Sequence, residues 1–309
     1  MTTRSDLFLV TGATGNTGAH TVRILRDSGQ RVRAVAHTHD ERVDRLRGPG
    51  VEVIYGDLLE FRTLSEAMSG VTAAYFNYPI RSGLIEATVN FAQAAVESGV
   101  RAVVNMSQIS ARREATSNAA RQHWIAERLL DRTALITTHL RPTFFMEWLT
   151  GFWVRRDGEG VYRLPLADGR HAPIAAVDQA KVIAAILQDP YPHDGQTYQL
   201  FGAEELDWNG IASRVGNTLG LPVRYEPIDI PVFVAALRSA GFAGHFVQHI
   251  GSVAQDYRDG IFSGRNGVVE QIVGIRPMTV EDYVAANRAA FNISGHLGIT
   301  DARLTAARP

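Results

Sequence analysis

A doubly wound α/β fold, one parallel sheet with helices on both faces, is predicted by three features of the chain. Strand-like runs alternate with helical patterns along residues 7–140. A glycine-rich turn joins the first run to the first helix. The 309 residues, 45% of them hydrophobic, are enough to bury a large core. Taken in order, Leu7 to Thr11 is the first apolar run, and Asn16 to Ser28, closed by Gly29, is the first helix. Val32 to Ala36, Val51 to Tyr55, Ala73 to Asn77 and Val100 to Met106 are further strand-like runs. Leu84 to Glu97 and Ala119 to Leu130 carry apolar residues at helical spacing, and Leu135 to Leu140 is strand-like again. Strand twist makes the crossovers right-handed.

After Pro142 the alternation becomes irregular. An aromatic stretch, Phe144-Phe145-Met146-Glu147-Trp148, leads into a loop containing Gly151, Gly158, Gly160 and Gly169. Pro173 to Val177, a helix from Asp178 to Gln188 and the run Thr197 to Phe201 read as a return to the sheet. From Leu206 the chain is mainly helical: Asp207 is the N-cap of Trp208 to Leu219, Val223 to Tyr225 is a short strand, and helices lie near 232–240, 243–259 and 280–291. The expected organisation is a sheet domain over 1–150, rejoined by 172–202, with a smaller substrate-facing region made of 151–171 and 203–309 packed tightly on it.

Basic and acidic residues nearly cancel, 31 against 32, so composition supplies no attraction to nucleic acid or anionic membrane, and neither is expected as a partner. The absence of cysteine excludes disulfides, thiolate metal sites and cysteine nucleophiles. The start, MTTRSDLFLVTG, enters a strand without a secretory h-region, and no apolar stretch approaches a membrane span, so cytoplasmic residence is expected. A homodimer stays open. Every basic residue but Lys181 is arginine, which leaves one candidate for any chemistry that requires lysine.

Thr11-Gly12-Ala13-Thr14-Gly15-Asn16-Thr17-Gly18 lies between the first strand and the first helix, where free N–H groups at a helix start can hold a pyrophosphate. Gly12 makes the turn, Gly15 lets the backbone approach the ligand, and Gly18 lets helix pack on strand; Thr14, Asn16 and Thr17 complete the cradle. An NAD enzyme would carry a carboxylate at the end of the second strand, yet Ala36-His37-Thr38 stands there. NADP(H) is therefore preferred, with His37 or Arg42 as contacts for a 2′-phosphate. Asp40 and Glu41 lie close enough to keep NAD as an alternative. Asp57, in Gly56-Asp57-Leu58, suits the adenine edge and Leu58 its face, with helix capping as the other reading of Asp57. Asn77-Tyr78-Pro79 ends the fourth strand, at the carboxyl edge where loops gather around a cofactor.

These residues resemble the NmrA-like, atypical short-chain dehydrogenase/reductase family, in its quinone oxidoreductase-like branch. The resemblance rests on the glycine loop, Gly56-Asp57-Leu58, the strand ending in Ser107, Leu140-Arg141-Pro142-Thr143-Phe144-Phe145-Met146-Glu147, Thr197-Tyr198-Gln199-Leu200-Phe201-Gly202, Pro277-Met278-Thr279 and Phe291. It implies a Rossmann domain that binds NAD(P)H, with Pro142 and Thr143 beside the cofactor, and a C-terminal substrate region. The family is similar both to reductases and to cofactor-sensing regulators.

Typical short-chain dehydrogenases use Tyr-x-x-x-Lys, and this chain has no such pair, since Val177 precedes Lys181 by four residues. The corresponding helix carries His123 and Glu127, which share a face at i, i+4. His123 is a candidate proton donor or hydrogen-bond partner with Glu127 orienting it; a surface or packing pair is the alternative. Ser107 is a candidate donor to a carbonyl oxygen, Gln108 a weaker one, and Tyr78 a third catalytic candidate. Hydride addition to a quinone or conjugated enone gives a delocalised, weakly basic oxyanion that manages without a strong acid. Tyr78, Phe144, Phe145, Trp148 and Phe152 suggest a flat apolar pocket for such a substrate, with core packing as the alternative. An NAD(P)H-dependent reductase of quinones or enones is the leading expectation; an NADP(H)-binding sensor and a non-redox isomerase or cyclase are the rivals. His245 and His249 have a helical spacing usable by a metal but lack a following Glu and a third ligand, so no metal is expected. No Gly-x-Ser-x-Gly elbow supports Ser-His-Asp catalysis.

Overall fold

Runs of apolar side chains on both faces of a strand can be buried only inside a sheet covered on both sides. The computed structural model, which describes residues 6–298 and 300, places them so. The first half of the chain runs β1 (Leu7–Val10), α1 (Asn16–Asp27), β2 (Arg31–Ala36), α2 (Glu41–Asp44), β3 (Val51–Tyr55), α3 (Phe61–Met68), β4 (Ala73–Phe76), α4 (Leu84–Glu97), β5 (Ala102–Met106), α5 (Asn118–Leu130) and β6 (Ile136–Pro142). The second half runs α6 (Glu147–Gly151), β7 (Trp153–Arg156), β8 (Glu159–Leu164), β9 (Arg170–His171), α7 (Ala176–Gln188), β10 (Thr197–Leu200), β11 (Leu206–Asp207), α8 (Trp208–Leu219), β12 (Val223–Pro227), α9 (Ile230–Ser239), α10 (Gly244–Arg258), α11 (Val268–Val273) and α12 (Val280–Ala286).

Seven strands form one sheet in the order β10-β6-β5-β4-β1-β2-β3, every pair parallel. Alternate residues of each strand point to opposite faces. Phe8, Val10 and Tyr75 meet Val22, Leu25 and Ile183 from α1 and α7 on one face. Leu9 and Phe76 meet Leu64, Leu84 and Phe91 from α3 and α4 on the other. The predicted α/β class is the observed one. Loops at the carboxyl edge of this sheet face a second layer whose core contains Phe152, Trp153, Tyr162, Trp208, Phe233 and Tyr257.

Several local expectations differ from the structure. The glycine-rich stretch after α6 is a β7–β8 hairpin, with Asp157 and Gly158 both at positive φ (47° and 84°) in its turn. Its other glycines serve packing: a Cβ on Gly160 would lie 1.8 Å from the Trp153 ring, and one on Gly169 would lie 2.3 Å from the Tyr257 ring. β12 adds to β8 in parallel, completing a separate three-stranded sheet. Of Pro173 to Val177, read as strand, Ile174 forms a single bridge to Phe145. Helix α7 begins at Ala176 because the Glu147 carboxylate accepts the Ala176 N–H at 3.0 Å and caps that turn. The helix expected over 280–291 stops at Ala286 and continues as a 3₁₀ turn, Arg288–Asn292. The last stretch of the expected C-terminal region, 301–309, lies outside the described residues.

Candidate active site

The turn after β1 depends on glycine at two points. Gly12 has φ +58°, and a Cβ there would lie 2.7 Å from Asn77 Nδ2. A Cβ on Gly18 would lie 2.2 Å from the Gly12 carbonyl oxygen. Gly15 closes the turn by donating its N–H to Gly12 O at 2.9 Å. It is also the N-cap of α1 and supplies no side-chain bond, so the first helical N–H groups have no cap of their own. The Thr11 hydroxyl ties the loop to β4, accepting from the Asn77 N–H at 2.8 Å.

Gly15, Asn16 and Thr17 open onto a cavity of about 530 Å³ at the carboxyl edge of the sheet, within the range of ligand pockets. Asn77, Tyr78 and Pro79 after β4, Ser107 and Gln108 after β5, and Pro142 and Thr143 at the end of β6 form its sheet side. Phe144, Phe145 and Trp148 form its aromatic side, with Trp148 stacked on Phe152 at 5.2 Å between ring centres. Gly12 and Gly18 lie behind this wall as packing positions.

Four expectations about chemistry change once hydrogen bonds are placed. Ser107 Oγ donates to Glu127 Oε1 at 2.6 Å, and Glu127, fully buried, is also held by Arg141 with Nε at 2.8 Å. Bound to the Arg141 guanidinium, these carboxyl oxygens act as acceptors, so the Ser107 hydrogen is committed and its oxygen offers lone pairs, not a proton, to a ligand. Glu127 does not orient His123, because it is turned toward β5 and β6. His123 itself is buried with Nδ1 unpartnered, and burial pushes its pKa down to about 3, so it is a neutral imidazole and not a charged acid. The Tyr78 hydroxyl donates to the Ser82 carbonyl at 2.8 Å, with Arg81 over its ring, so its proton is spent within its own loop.

The outer contacts lie elsewhere. His37 Nδ1 is 3.7 Å from Asp57 Oδ2, and the other Asp57 oxygen accepts the Leu59 N–H at 3.0 Å. Leu58 is drawn into the core with Tyr78 and Leu84 and does not line this cavity. Arg42 is bound to Asp40 at 2.6 Å, which holds that carboxyl well below the usual range. A second cavity of about 410 Å³ adjoins the glycine loop, with Thr14 and His20 in its wall beside Arg23, Arg26, Arg42 and Arg45. Arg23 bonds His20 Nδ1 at 3.0 Å and, among the described residues, has no carboxylate partner. Arg23, Arg26 and Arg45 were not singled out from sequence, although the i, i+3 spacing of Arg23 with Arg26 and of Arg42 with Arg45 marks two basic helix faces. His249 on α10 is a further cavity residue that sequence reasoning set aside. Among the described residues, no group of three His, Asp or Glu side chains converges to hold a metal, and no helix is long and apolar enough to cross a membrane.

A doubly wound sheet with an uncapped glycine turn opening onto an aromatic cavity defines a nucleotide-binding class of fold. The chain belongs to the NmrA-like family, whose model matches residues 4–284. It is 26% identical over 291 residues to an NAD(P)H azoreductase of Xenophilus azovorans, covering 92% of this chain and 99% of the relative. An NADPH-dependent quinone oxidoreductase from Escherichia coli, complexed with NADPH, superposes with a TM-score of 0.79 at 20% identity, covering 91% of this chain and 99% of that one. A triphenylmethane reductase from Citrobacter sp., complexed with NADP(H), gives 0.77 at 20% identity, covering 90% of this chain and 99% of that one.

Proposed function

We propose that this chain is an NAD(P)H-dependent reductase, preferring NADPH, of a quinone or conjugated enone-like small molecule. The observation that carries the reading is a cavity that joins an uncapped helix start to an aromatic wall while its hydroxyl and imidazole candidates from β4, β5 and α5 offer no acidic proton: Ser107 and Tyr78 have given up their hydrogens and His123 is neutral. Such a site suits an acceptor whose product oxyanion is delocalised and weakly basic. When bound, the dinucleotide supplies a hydride from nicotinamide C4, and the acceptor takes up those two electrons with one proton from solvent.

The residues present fit the dinucleotide. Gly15 leaves the backbone bare at the start of α1, where the uncapped N–H groups of Asn16 and Thr17 would hold a diphosphate, and Gly12 and Gly18 let the turn pack tightly behind it. Asn77, Pro79, Pro142 and Thr143, which line the sheet side of the cavity, would hold the nicotinamide half, and Ser107 Oγ would accept from an N–H or O–H of the ligand. Arg23, with Arg42 and Arg45 nearby, supplies positive charge for a 2′-phosphate. The named activities of the azoreductase and quinone oxidoreductase relatives agree with this reading.

The test is NADPH absorbance with purified protein and a quinone panel. Steady oxidation that survives removal of trace flavin and disappears in Gly15→Trp supports the reductase. Tight NADPH binding with no oxidation across the panel favours a cofactor sensor instead.

A further inference from the structure

Helix α10, contributed by the second layer, reaches the cavity with Ile250, Val253 and Ala254, and His249 is the polar residue it adds to that wall. The His249 ring is fixed at one end: Nδ1 lies 2.8 Å from Ser117 Oγ. Ser117 is fully buried and is the N-cap of α5, its oxygen already accepting the Ala120 N–H at 3.1 Å. A buried hydroxyl has one hydrogen to place, and donation to His249 Nδ1 is the arrangement that satisfies it. Nε2 then carries the ring hydrogen. The neighbouring Gln248 fastens the same junction, accepting the Asn118 N–H and donating to the Thr116 carbonyl, both at 3.0 Å. The ring is therefore held at both backbone and side-chain level, as a preorganised donor requires. Of the described cavity-lining residues none is Arg or Lys, and Glu147 is the one carboxyl, pushed toward its neutral form by burial.

We propose that His249, with its ring hydrogen placed on Nε2 by Ser117, is the donor that binds a carbonyl oxygen of the acceptor, and that the acceptor is an uncharged, flat quinone and not an anionic enone. The assignment rests on the reductase reading above and deepens it. A neutral imidazole N–H stabilises charge gathering on oxygen without giving up its proton.

The experiment follows quenching of tryptophan fluorescence, Trp148 lying in the cavity wall, as a naphthoquinone, its sulfonate and carbonyl-free naphthalene are titrated into wild type, His249→Leu, His249→Gln and Ser117→Ala. His249→Leu is expected to weaken naphthoquinone binding by about tenfold, the worth of one good hydrogen bond. Naphthalene binding and the NADPH Kd stay unchanged. His249→Gln restores most of the loss, Ser117→Ala gives a partial one, and wild type binds the sulfonate at least about tenfold more weakly than the parent quinone. Equal naphthoquinone affinity in His249→Leu and wild type, an equal loss for naphthalene, or tight sulfonate binding overturns the proposal. If wild type reduces quinones while His249→Leu keeps Kd and KM, the His249 assignment alone falls; if wild type binds no quinone, the reductase reading falls with it.

Discussion

Moving the protein from pH 7 to pH 5 tests the burial of its histidines. Burial pushes His123 and His171 down to about 3 and His249 to about 4. In the unfolded chain each takes up a proton near pH 6.5. The folded values are depressed, so the unfolded state binds more protons below about 6.5, and stability falls as pH drops through that window toward the folded values. Over the two units from pH 7 to pH 5, each histidine costs about 2 kcal/mol and the three together about 6 kcal/mol, comparable to the whole stability of an ordinary domain. Glu147, pushed upward by burial, acts in the opposite sense and trims the loss. Urea unfolding at constant ionic strength reads the slope directly. His249→Gln should reduce it by roughly a third. A flat stability between pH 7 and pH 5, or an unchanged slope in the variant, refutes the reasoning.

Glu127→Gln removes the buried charge that holds Arg141 and Ser107, and should cost about 2–3 kcal/mol in chemical denaturation, since a partly exposed guanidinium loses its counter-ion and the Ser107 hydroxyl its charged acceptor. Gly18→Ala sets a methyl group 2.2 Å from the Gly12 carbonyl, so thermal unfolding should show a lowered Tm, and NADPH titration should show lost binding. Arg23→Ala should raise the NADPH Kd by about tenfold while leaving that for NADH nearly unchanged; equal effects on both would place the 2′-phosphate elsewhere.

The sheet was legible because strand and helix periods alternate along residues 7–140, and because the glycine turn falls between the first two elements. The β7–β8 hairpin was missed although Asp157-Gly158 is a hairpin signal, since the surrounding glycines looked like loop. Gly160 and Gly169 are glycine because Trp153 and Tyr257 lie on them, a long-range packing fact with no local signature. The face shared by His123 and Glu127 could be read from spacing, but the partners of Glu127 could not. Ser107 and Arg141 arrive from β5 and β6, and a charged guanidinium outcompetes a neutral ring for a buried carboxylate. His249 looked like half of an idle pair until the contact between α10 and the start of α5 set it against Ser117.

Calorimetric titration of the folded protein with NADPH and NADH tests most directly whether the bare main chain at the start of α1 holds a pyridine dinucleotide. The account predicts one saturable site, tighter for NADPH, that vanishes in Gly15→Trp while the Tm of that variant stays near wild type. Absence of heat with both nucleotides, or binding undiminished in Gly15→Trp, would contradict it.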